Sequence, residues 1–173
     1  MARVQTIGSV VMMGVAGCGK STVGTLVAQA AGLRLVEGDD HHSAASRDKM
    51  SRGIPLTDAD RDGWLTLLAG ELARQPRGLV LTCSALRRAY RERLRAAAPG
   101  LRFVFLELTR EQALARVTAR AASHFFSASL VDSQFQTLES PVGEPGVLRV
   151  DATAPLPELQ ARIAAWLHAT EAP

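Results

Sequence analysis

The sequence predicts an α/β domain built on a mostly parallel β-sheet. Short apolar runs bounded by Gly or Pro alternate with longer helical patterns, the rhythm of strand–helix–strand units. A glycine-rich phosphate-binding motif follows the first apolar run and opens the first helical pattern, where such a fold places it. The length, 173 residues, suits one domain spanning 1–173 with its own core.

Along the chain, Ile7–Met13 reads as the first buried strand and residues 20–31 as the helix after the glycine-rich turn. Leu33–Val36 is the second strand. Residues 58–75 form a helix opened by a capping box, "TDAD" at 57–60, with Thr57 as cap and with Pro76 and Gly78 closing it. Leu79–Cys83 is the third strand, followed by a helix at 85–97 that Ser84 can cap. Phe103–Leu108 is the fourth strand. A helix over 110–121 carries Ala113, Leu114 and Val117 as a core-facing stripe. Helices at 127–139 and 156–169 flank a fifth strand, Val147–Val150, and the tail after His168 is expected to fray. The sequence contains no internal repeat, low-complexity segment or linker.

With 47% hydrophobic and 21% charged residues, the composition is that of a folded globular chain. No apolar run reaches membrane-spanning length, and "IGSVVMMGV" (7–15) lacks a signal-peptide cleavage site. Two cysteines, Cys18 and Cys83, do not make a disulfide framework, so a cytoplasmic location is expected. The net charge is +3, and all basic residues except Lys20 and Lys49 are arginines. Acidic residues are interspersed among them, which points to a bias toward Arg and not to a nucleic-acid surface. Where Arg serves nearly everywhere, the two lysines mark places that call for a compact charge.

"GVAGCGKS" (14–21) fits G-x-x-x-x-G-K-[ST]. The backbone of Gly14, Val15, Ala16, Gly17, Cys18 and Gly19 should wrap a phosphate, with the helix N-terminus favouring its oxygens. Lys20 should reach the β- and γ-phosphates and be solvated without ligand. The Ser21 hydroxyl can ligate Mg²⁺, and Thr22 is a candidate for the α-phosphate. The base-reading N-K-x-D of a GTPase is absent. The strand "LVLTC" runs into Ser84, where a motor-type ATPase would carry Asp. A small-molecule kinase using ATP fits best.

The stretch "VEGDDHHS" (36–43) sets two carboxylates beside two imidazoles at the end of the second strand. There, Asp39 can orient an acceptor hydroxyl and take its proton, with Asp40, His41 and His42 continuing into the acceptor pocket. Zinc is the competing reading. Adjacent loop residues point different ways, and no second ligand group stands at the usual spacing, His124 being isolated.

Six ordered segments now carry a resemblance: "MGVAGCGKST" (13–22), "GDDHH" (38–42), "KMSRGIPLTDADRDGWL" (49–65), "CSALRRAYRERLR" (83–95), "HFF" (124–126) and "LVDSQFQTLESP" (130–141). Together they resemble the gluconokinases of the small P-loop kinase type, relatives of the shikimate and adenylate kinases. The resemblance implies a three-layer P-loop kinase fold, with a five-stranded parallel sheet of order 2-3-1-4-5 and a mobile lid at about 117–130. It implies transfer from ATP to D-gluconate, with Asp39 facing the C6 hydroxyl. Lys49, Arg61, Arg87, Arg88 and Arg91 are the cations in matching segments for the acid group. Asp40, His42 and Gln134 are the hydroxyl partners, while Trp64 reads as core. Arg116 and Arg120 lie in the lid stretch "RVTARAASHFF", Arg120 as the catalytic candidate stabilising charge on the transferring group. Asp151–Pro155 should approach the adenine.

The chain departs from the family at "AAS" (121–123), one residue longer than usual, and at Ser43 and Gly63, which stand for prolines and should loosen turns. Partners implied are ATP and D-gluconate, with no nucleic acid and no membrane; a homodimer is compatible with the sequence. A nucleotide-binding regulatory protein without turnover, or a sister kinase for shikimate or another small hydroxy acid, are the alternatives.

Overall fold

The computed structural model describes residues 7–75, 78–120 and 128–169. Pro76, His124, the centre of the expected lid with "AAS" and "HFF", and the tail from 170 lie outside them.

Five parallel strands form one sheet in the order β2-β3-β1-β4-β5, as the resemblance implies. They are β1 (Val10–Met13), β2 (Arg34–Glu37), β3 (Leu79–Thr82), β4 (Arg102–Glu107) and β5 (Val147–Asp151). The register sets Val11 of β1 between Leu81 of β3 and Phe103 of β4. Both faces of β1 are buried, hence its unbroken "VVMM". Val10 and Met12 pack into one core cluster, Val11 and Met13 into the other, by the strand's two-residue alternation.

The first cluster is covered by α1 (Lys20–Ala31), α5 (Arg110–Ala119), α6 (Ala128–Thr137) and α7 (Leu156–His168). The second is covered by α3 (Asp58–Ala73), through Trp64, Leu65, Leu68 and Leu72, and by α4 (Arg88–Ala97), through Tyr90 and Leu94. Full burial of each large apolar side chain contributes about 1.5–3 kcal/mol. Thr57 and Thr109 form reciprocal capping boxes with Asp60 and Gln112, the first as expected.

The structure corrects four local expectations. The Leu33 amide is spent on the Ala28 carbonyl in the cap of α1, so β2 starts at Arg34. Residues 85–87 are not helical: Ala85 has φ +48° and Arg87 is extended, so Ser84 caps nothing. An unforeseen helix, α2 (Ala44–Ser51), follows a 3₁₀ turn over Gly38–His41. Ser43 is its N-cap, accepting from the Ser46 amide, and Gly63 sits inside α3, so neither residue loosens a turn.

Candidate active site

The C-terminal ends of β1, β2 and β3 open onto one cavity of about 410 Å³. On one side is the phosphate loop. A side chain at Gly14 (φ +145°) would press within 2.8 Å of both the Cys18 sulfur and the Leu106 carbonyl, so the loop can leave β1 only through glycine. Ala16, Gly17, Gly19, Lys20, Ser21 and Thr22 line the cavity. The amides of Lys20, Ser21 and Thr22 open α1 and have no backbone carbonyl partner among the described residues, which suits them to anionic oxygens. Val15 and Cys18 are buried beneath the loop, and the Gly14 amide is spent on the Ser84 carbonyl. These three shape the loop from below.

Lys20 is half-buried and not simply solvated: its ammonium donates to the Gly14 and Val15 carbonyls at 3.0 and 3.1 Å. Two side chains brace the loop from outside. The Gln134 carbonyl oxygen accepts from the Ala16 amide at 2.6 Å. Arg116 donates to the Gly17 and Ala152 carbonyls, tying the loop to the segment after β5. Arg116 is thus behind the loop, while Arg120, at the end of α5, lines the cavity.

The opposite wall is built on Gly38. A Cβ there would lie 2.2 Å from the Thr82 carbonyl oxygen, so only glycine lets β2 turn this close to β3. The Gly38 amide donates to the Thr82 hydroxyl, and its carbonyl accepts from the Trp64 indole at 2.7 Å. The turn throws Asp39 and Asp40 onto the cavity wall. Trp64 is core, as expected, yet it also lines the cavity, and the His42 ring stacks on it with centroids 4.3 Å apart. His42 Nε2 lies 3.6 Å from an Asp39 oxygen. That imidazole, aided by the charges of Lys20, His42 and Arg47, holds the Asp39 carboxyl below its ordinary range against the opposing effect of burial. His42 Nδ1 is buried without a hydrogen-bond partner among the described residues.

Of the expected acceptor cations, the structure brings only Arg61 to the cavity, held through the Tyr90 hydroxyl. Lys49 pairs with Asp60 at 2.8 Å, Arg87 lies 3.8 Å from Asp58, and Arg88 3.9 Å from Glu92. None of these three lines the cavity. Arg91 is the clearest correction. It is fully buried, paired with Glu144 and bonded to the Ala85 and Glu139 carbonyls, so it locks α4 onto the segment before β5.

The chain matches the family model described as an AAA domain over residues 10–145. It is 46% identical to the gluconokinase of Gluconobacter oxydans (strain 621H), covering 81% of this chain and 80% of that protein. It is 40% identical to the thermosensitive gluconokinase of Escherichia coli (strain K12), covering 83% and 78%. The crystal structure of a gluconokinase from Sinorhizobium meliloti 1021 superposes with a TM-score of 0.83 at 43% identity, over 95% of this chain and 97% of that one. The chain belongs to the gluconokinase family.

Membership gives the two ends of the cavity a common purpose and directs attention to residues that the motifs did not reveal. Glu37, the last residue of β2, accepts from Ser21 at 2.9 Å and from Thr82 at 2.6 Å on the same oxygen. Its signal was its place at a strand end, two residues before Asp39. Thr82 is buried and gave no signal, since a hydroxyl in a central strand reads as part of the apolar run. Arg47 lines the cavity from α2, a helix the sequence did not announce. Among the described residues no group of three or more His, Cys, Asp and Glu side chains gathers to hold a metal ion. A hydroxyl backed by one carboxylate, as at Ser21 and Glu37, nevertheless fits Mg²⁺, which takes few protein ligands and keeps its water and phosphate oxygens. No helix among the described residues is long and apolar enough to cross a membrane.

Proposed function

We propose that this chain transfers the γ-phosphoryl group of ATP to the C6 hydroxyl of D-gluconate, giving 6-phospho-D-gluconate and ADP. The observation that carries this reading is the single cavity joining the phosphate loop to Asp39, in a member of the gluconokinase family. The loop amides and Lys20 bind and orient the phosphates. Lys20 leaves the Gly14 and Val15 carbonyls for the phosphate oxygens, so the loop offers it a resting place of the right geometry. Asp39, kept ionised by its neighbours, accepts a hydrogen bond from the C6 hydroxyl and takes up its proton as the phosphoryl group arrives. His42, fixed flat against Trp64 on the cavity wall, serves one substrate hydroxyl, and Asp40 is available to another. Arg61 attracts the acid group. Arg120, on the cavity wall, is the candidate to stabilise transferring charge. Ser21 would hold Mg²⁺, with Glu37 orienting that hydroxyl, and the ion would supply positive charge against the phosphates.

A coupled assay of ADP release, run with gluconate, shikimate and nucleoside monophosphates as acceptors, tests the reading. Gluconate should be the preferred acceptor. Preference for another acceptor would move the chain to a sister reaction, and ATP binding without transfer to any of them would make it a regulatory nucleotide binder.

A further inference from the structure

A sugar acid carries a full negative charge at the end opposite its C6 hydroxyl. Lys49, Arg87, Arg88 and Arg91 are paired with Asp60, Asp58, Glu92 and Glu144, which leaves Arg61 alone among the acceptor cations named from the sequence. The cavity wall carries one more. Arg47 projects from the middle of α2, directly after the acceptor turn. Its Nη2 donates to the Asp39 carbonyl at 3.1 Å, and its Nε to the His42 carbonyl at 3.4 Å. Those acceptors are neutral carbonyls that fix the guanidinium against the 38–42 turn, and the Asp39 carboxylate acts on it through space without an ion-pair contact. Neither Arg47 nor Arg61 is ion-paired with a carboxylate among the described residues. By contrast, the other basic side chains of α2 and its C-cap are paired, Lys49 with Asp60 and Arg52 with Asp48. A guanidinium offers five N–H donors, so two backbone contacts leave an edge for a planar anion.

We propose that Arg47 is a specificity-determining residue: with Arg61, it grips the carboxylate of the acceptor and so selects a sugar acid over a neutral polyol. The proposal rests on the gluconokinase reading. Because the same guanidinium is stapled to the Asp39 backbone, it sets the acid end and the reacting end of the substrate in one frame. A purely structural Arg47 would only staple the turn. The two roles differ in one respect: the staple serves every acceptor, whereas the clamp serves only a charged one.

The test compares wild type, Arg47→Gln and Arg47→Lys with D-gluconate and with D-glucitol, which keeps the hydroxyls and replaces the carboxylate by an alcohol. Wild type should prefer gluconate. Arg47→Gln should lower kcat/KM for gluconate about 10–100-fold, the scale of a lost hydrogen bond between charged groups, mainly through KM. It should lower glucitol turnover by a clearly smaller factor, that of the lost staple alone, and Arg47→Lys should restore part of the gluconate preference because it keeps the charge. Equal losses with both acceptors would reduce Arg47 to a structural staple and overturn the proposal, as would unchanged gluconate kinetics. A wild type inactive with gluconate but active with another acceptor removes the functional reading itself, and the proposal with it.

Discussion

Replacing Asp39 by Asn keeps the shape of the side chain and removes both its charge and its capacity to take a proton. The structure sets the size of the effect. His42, with Lys20 and Arg47, holds the carboxyl below its ordinary range, so Asp39 is a weak base whose main work is to orient the hydroxyl. General-base catalysis contributes about 10²–10⁴-fold, and the loose transition state of phosphoryl transfer places Asp39 toward the lower end. The expected fall in kcat is about 10²–10³-fold. ATP affinity should persist or rise, since the loop is intact and one negative charge near Lys20 is gone. A stopped-flow or coupled ADP assay reads the first quantity, and titration with a non-hydrolysable ATP analogue reads the second. The pH profile adds a check. Wild type should keep its acid limb below the ordinary aspartate value of about 3.9, and His42→Ala, which removes the leading cause of the shift, should move that limb upward. Near-normal turnover of Asp39→Asn, or an acid limb indifferent to His42, would refute the reasoning.

Three other perturbations probe the surroundings. Arg91→Met takes from Glu144 one of its two arginine partners, Arg95 remaining, and leaves the Ala85 and Glu139 carbonyls without this donor, so it should cost about 1–3 kcal/mol, a loss of roughly 2–12 °C in Tm, with KM for gluconate unchanged at a temperature where the variant is folded. A selective rise in KM would return Arg91 to the acceptor site. Thr82→Val deprives Glu37 and the Gly38 amide of their shared partner; Tm should drop by roughly 2–12 °C and the Mg²⁺ needed for half-maximal rate should rise, with Thr82→Ser close to wild type in titrations of both. Lys49, aided by the Thr57 amide, lowers the Asp60 carboxyl from 3.8 to about 2. A depressed folded value means that this contribution is complete above pH 3.8 and is lost as the pH falls toward 2, so Asp60→Asn should flatten the acid slope of a Tm-versus-pH series in that window.

How much of this was legible depended on whether a feature is local. The phosphate loop and Asp39 stand on contiguous motifs at strand ends, and the topology of a parallel sheet carries both to the same edge. The unbroken apolar runs marked the strands because both sheet faces are covered. The helix α2 was hidden because "AASRDKMS" buries only Ser46 and Met50 and shows no apolar stripe; the Ser43 cap was its one signal. Arg91 was misassigned because a run of arginines looks the same whether it faces a ligand or a distant carboxylate. Its partner, Glu144, is 53 residues away, and only folding pairs them. Glu37 and Thr82 were missed for a related reason, since their hydrogen bonds join three elements that no spacing rule connects.

The central claim is that one cavity carries the phosphoryl group from the loop at 14–22 to a sugar-acid hydroxyl held by Asp39. Identifying the product by ³¹P and ¹³C NMR after incubation with ATP, Mg²⁺ and ¹³C-labelled D-gluconate tests it most directly. The account predicts a phosphomonoester whose phosphorus couples to C6 and its hydrogens, formed in equal amount with ADP. A phosphate on another carbon, or ADP accumulating with inorganic phosphate and unmodified gluconate, would contradict it.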